Sequence, residues 1–175
     1  MAIRIDLSVE HTHRLPLVEI IVIVTATLAA SLLRSRFWTW ERLGGVRCRV
    51  VAGVSAIVGL CVSMLPATTA TTRIPGDVPT NWVLANALTL AATVSIIAVV
   101  MSPLLGGGLV LLAYFVHGIV YNMEPLVRDY LPLVGYPGPD GHWVLAVALA
   151  TVAVACHVAT WGSTRWAHRR DHNEG

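Results

Sequence analysis

Five apolar runs divide the chain: residues 17–33, 50–65, 82–101, 104–121 and 143–161. Only the first carries a charge, Glu19 near its start. A helix needs about 20 apolar residues to cross the hydrocarbon core of a bilayer. Each run is near that length, so the pattern predicts an all-α, polytopic membrane helix bundle of five transmembrane helices. The second run is the shortest, but Arg47 and Arg49 can snorkel and extend its reach. Pro66 is expected to end it, leaving an exposed, irregular linker over 67–80, rich in threonine and proline.

The third and fourth runs form one apolar stretch of 40 residues from 82 to 121, twice the length of a single span. Ser102-Pro103 and the glycines Gly106, Gly107 and Gly108 interrupt it. Proline disfavours helix in the residue before it and glycine relaxes the backbone, so a tight helical hairpin is expected there.

Before the first run the period changes. Ile3, Ile5, Leu7 and Val9 alternate with Arg4, Asp6, Ser8 and Glu10, the pattern of a half-buried strand. No second segment shows this alternation, and a lone strand is marginal. An extended tail on the membrane or on a partner is expected, with a strand donated to another subunit as the sharper option.

Composition agrees with the pattern: 55% of the 175 residues are hydrophobic, 13% charged, and the mean hydropathy is +0.69. Soluble domains carry about 25% charged residues. All 12 basic side chains are arginine, a bias that suggests GC-rich coding and hence a bacterial or phage source. Cys48, Cys61 and Cys156 are too few and too scattered for a disulfide framework or a zinc motif.

Charge placement orients the bundle. Segment 34–49 holds five arginines against one glutamate, and such loops stay on the cytoplasmic side. Five spans then put Arg34, Arg36, Arg42, Arg47, Arg49, Arg165, Arg169 and Arg170 inside, and Arg4, Arg14, Arg73 and Arg128 outside. A cleavable signal peptide would show the opposite bias around the first run. Trp82 and Trp143 fall at the outer interface, and Trp38, Trp40, Trp161 and Trp166 at the inner one. The expected organisation is an exoplasmic N-terminal tail (1–16), a transmembrane bundle (17–162) and a basic cytoplasmic C-terminal tail (163–175). The membrane is expected to be a bacterial plasma membrane.

Helices associate in lipid where small residues let backbones approach. Ser55, Gly59 and Ser63 recur every fourth residue in the second run, and Ala87, Ala91 and Ser95 in the third. Both stripes are expected to pack helices, within the bundle or between copies.

Ionisable groups inside a bilayer are costly, so each is a candidate for function. Counting from the helix ends puts Glu19, Asn86, His117 and Glu124 near the outer face, where a proton- or cation-responsive site is one reading and mutual hydrogen bonding the other. His157 lies near the inner end. It differs from His117 by roughly 12 Å in depth at 1.5 Å per residue, too far for both to ligate one haem iron. The outer histidines His11, His13 and His142 are candidates for a zinc or copper site. No other cofactor is implied, and no hydrolase, phosphate-loop or metalloprotease motif occurs. The basic surface is too small for nucleic acid.

These features point to a non-catalytic subunit or regulator of a membrane complex, whose partners are the lipid bilayer and another membrane protein or a second copy of itself. The alternative is a small oligomeric transporter or pore, holin-like if the source is a phage, lined by Glu19, Asn86 and His117. A membrane-embedded enzyme or redox protein is the weaker third reading.

Overall fold

A computed structural model describes residues 2–6, 12–34, 44–73, 81–123, 131–133 and 142–164; in 2–6, 12–16 and at Asn122 it describes the backbone alone. The described residues form five helices: α1 (Leu17–Leu32), α2 (Gly45–Thr71), α3 (Asn81–Val100), α4 (Pro103–Met123) and α5 (Trp143–Thr160). All but α1 are long and apolar enough to cross a membrane. α1 has 16 residues and rises about 24 Å.

α3 is the hub. Its buried residues include Trp82, Asn86, Leu90, Val94 and Ala98, which follow one another at every fourth position, together with Val83, Ala87 and Ala91 on the neighbouring face. It packs against each of the other four helices, α1 also touches α2 and α4, and α2 touches α5. The remaining helices therefore wrap α3 in the order α5, α2, α1, α4. Their outward faces are apolar: Val50, Val54 and Ile57 on α2, Leu104, Leu112 and Val116 on α4, and Val144 and Val147 on α5 are all exposed. Such surface suits lipid, which is as apolar as leucine.

The α3–α4 hairpin forms where the proline predicts it. α3 ends at Val100 and Pro103 opens α4, a position where its missing N–H costs nothing. The Ser102 hydroxyl accepts from the Leu105 N–H (3.4 Å) and the Ser102 carbonyl from the Gly106 N–H (2.9 Å).

Two expectations need correction. Pro66 does not end the second helix; α2 continues to Thr71 and takes in the start of the expected linker. Proline removes one backbone donor without breaking the run, and the threonines that follow donate their hydroxyls to carbonyls of the last turns. Thr68 donates to the Leu65 carbonyl at 2.9 Å, Thr69 to Pro66 at 3.0 Å and Thr71 to Thr68 at 2.8 Å. The N-terminal alternation, in turn, is not a strand without a partner. β1 (Ala2–Asp6) pairs antiparallel with β2 (Thr12–Pro16), with Ile3 opposite Leu15 and Ile5 opposite His13. β2 runs straight into α1.

The small-residue stripes lie largely inside the chain. Ala87 and Ala91 are fully buried and Ser63 nearly so, while Ser55, Gly59 and Ser95 are half-buried. A methyl group added at Gly59 would meet Leu33 at 3.3 Å. The tightest crossings use other glycines, Gly53 against Val158 of α5 and Gly107 against Thr27 of α1.

Candidate functional site

Glu19 sits in the first turn of α1, where the partial positive charge of the helix N-terminus favours a carboxylate. α1 turns it toward α3 and α4. The Asn86 side-chain amide donates to Glu19 Oε1 at 2.6 Å, and the Tyr114 hydroxyl donates to the same carboxylate. Three helices thus each contribute one polar group to a cluster at one end of the bundle. Glu19 and Tyr114 are each 4% exposed and Asn86 1%. Their surroundings are apolar, with Val22, Ile23, Trp82, Val83 and Val110 in the same core.

Magnitudes say what such a cluster is for. Burying a carboxylate costs several kcal/mol. Interhelical hydrogen bonds in membranes return only about 0.6 kcal/mol each on average, and at most about 1.7. Two donors do not offset the burial, so the cluster is not there for net stability. What it supplies is register, because Glu19 has its two donors only when α1, α3 and α4 stand at the correct heights. The two donors occupy two of the carboxylate's roughly four lone-pair sites, and among the described residues no acidic, His or Cys side chains join it to make a metal ligand set.

The expected cluster is brought together only in part. Glu19 and Asn86 meet; Glu124 lies outside the described residues; His117 is engaged elsewhere. Its half-buried ring bonds the backbone of Leu133 and lies 6.1 Å from the Tyr121 ring. Leu133 itself is 5% exposed and belongs to the core that includes Trp82 and Tyr114, so residue 133 packs against the bundle. Tyr114 is the member that the sequence reading missed. It lies in an apolar run and reads as core, although its spacing to His117 and Tyr121 marks a polar stripe along α4.

His157 lies at the opposite end. Its Nδ1 is 2.8 Å from the Ala153 carbonyl, which can only accept, so Nδ1 carries the hydrogen. The same ring lines a cavity of ≈ 30 Å³ with Arg34, Ser55, Ser95 and Gly162. His117 and His157 are therefore held by backbone groups at opposite ends of the bundle. Of the outer histidines, His11 lies outside the described residues, His13 falls in β2 and His142 is exposed just before α5. Among the described residues no three His, Cys, Asp or Glu side chains converge on a point that would hold a metal ion.

Comparison with family models, with curated proteins and with solved structures finds no match to this chain.

Proposed function

We propose that the chain is a non-catalytic subunit or regulator of a membrane complex, seated in a bacterial plasma membrane as a host or phage protein. In this reading the Glu19 end faces outward and the Arg34 end, with the basic C-terminal tail, faces the cytoplasm. The observation that carries it is the enclosure of the polar cluster. Glu19, Asn86 and Tyr114 direct their hydrogen bonds at one another inside one chain, behind helix faces made of valine, leucine and isoleucine. A pore built from several copies would need these side chains on the surface of each copy, and 1–4% exposure does not favour that arrangement.

Native mass spectrometry after gentle extraction from the source membrane tests the proposal. A defined assembly with a second protein is the expected result. The chain alone, or copies of itself only, would overturn it. In liposomes, purified protein should pass no ions, and flux abolished by Glu19→Gln would transfer the assignment to a transporter.

A further inference from the structure

We infer that the end of the bundle opposite Glu19 holds one anionic phospholipid by its headgroup phosphate, at the edge where α2 meets α5. The geometry starts with the end of α5. Trp161 adopts a left-handed backbone (φ 55°) and Gly162 continues it (φ 86°), with the Gly162 N–H on the His157 carbonyl at 2.9 Å. A side-chain-bearing residue seldom adopts that region, so the placement of the indole is held by what it touches. The Thr164 N–H bonds the Val99 carbonyl at 2.9 Å, which ties the turn to the end of α3. The turn lays the indole under the Arg49 guanidinium, 4.7 Å from the ring centre.

Arg49 is exposed and caps the α2–α5 seam, one helical turn before the Gly53–Val158 contact. Stacking uses the face of a guanidinium and leaves its in-plane N–H donors for an anion. Arg34 stands on the other side of the same turn, lining the cavity that Gly162 also lines. Five donors per guanidinium let Arg34 hold a protein neighbour and still reach a phosphate. Arg47 adds a second exposed cation on the first turn of α2 beside the half-buried Arg34, and the described residues at this end include no Asp or Glu. Two cations and an indole at a helix end are the chemistry that recognises a phospholipid headgroup. Val50, Val54 and Ile57 form an exposed apolar stripe beside Arg49, along which acyl chains can lie.

The test uses the full chain, purified in mild detergent, with phosphatidylglycerol or phosphatidylcholine added before native mass spectrometry. Wild type should retain one phosphatidylglycerol in preference to phosphatidylcholine. Arg49→Gln, a change at an exposed position, should lower that retention roughly fivefold, and Arg34→Gln by a similar factor. Arg73→Gln at the other end of α2 should leave it unchanged. Equal retention by wild type and Arg49→Gln would overturn the inference, as would equal loss in Arg73→Gln. So would displacement of the lipid by millimolar inorganic phosphate, which would make the site one for a free anion. Unchanged melting of Arg49→Gln in the lipid-free state separates lost binding from lost fold.

Discussion

Replacing Gly107 by alanine puts a methyl group into the α1–α4 crossing. It would lie 2.8 Å from Thr27 Cγ2 and 3.0 Å from Thr27 Cβ, and closer still to Oγ1. Thr27 cannot yield freely, because its hydroxyl donates to the Ile23 carbonyl at 2.7 Å and its Cβ is fixed to the α1 backbone. The helices must move apart or the threonine must leave its rotamer. Overpacking of that kind costs about 1–3 kcal/mol, set against a helix-propensity gain of about 1 kcal/mol for replacing glycine by alanine. The net expectation is a loss of up to about 2 kcal/mol. Gly108 is the internal control: nothing lies within 4 Å of an added methyl there, so Gly108→Ala should be neutral or stabilising. Unfolding in mixed micelles of rising SDS fraction, followed by tryptophan fluorescence and far-ultraviolet dichroism, measures both. Adding Thr27→Ala to Gly107→Ala should recover most of the loss, with a coupling energy of about 1 kcal/mol or more. Equal stability of the two alanine variants would refute the close crossing, and failure of the double change to recover would refute Thr27 as its cause.

The same titration checks two more expectations. Gly53→Ala brings a methyl 2.9 Å from Val158 Cγ2 and should cost about 1 kcal/mol, relieved by Val158→Ala. Asn86→Leu removes one of the two donors on Glu19 and should cost about 1–2 kcal/mol. Glu19→Gln keeps an acceptor for both partners and should cost less than Asn86→Leu; the reverse order would mean that the ionised carboxylate, rather than the hydrogen bonding, holds the three helices in register.

The helices were legible because lipid permits so few structures. A chain inside a bilayer must satisfy its backbone within each segment, so long uncharged runs have to be helices, and Ser102-Pro103 had to break the longest. Glu19 and Asn86 were legible for a related reason, since depth counted from helix ends places polar groups within reach. What the sequence hid depended on pairing or on local compensation. Thr12–Pro16 shows no alternation, and its role as a strand exists only through the register with Ala2–Asp6. Pro66 reads as a stop, yet the helix carries it as an interior residue and runs on to Thr71, because loss of a single backbone donor need not end a long helix. Tyr114 reads as one more aromatic residue in an apolar run: its spacing to His117 and Tyr121 marks a polar stripe, but nothing in that spacing names Glu19 on another helix as the partner of its hydroxyl. The stripes of small residues correctly marked helix contact, but the closest approaches fell on Gly53 and Gly107, which lie outside those stripes.

The unequal lengths of α1 and α2 impose a shape on the surrounding lipid. α2 rises about 40 Å and α1 about 24 Å, while an average hydrocarbon core is about 30 Å thick. The two helices are neighbours, and Ile21, Val24, Leu28 and Leu32 of α1 are exposed to whatever lies beside them. Lipids along that flank must compress by about 6 Å, whereas those along α2 need not, at a cost of fractions of a kcal/mol for each ångström of mismatch. The mismatch is therefore deepest on the α1 flank, and the protein carries an elastic dent there. Two such dents cost less when they merge than when they lie apart, which draws thin-edged proteins together flank to flank and favours thinner bilayers before any specific contact forms.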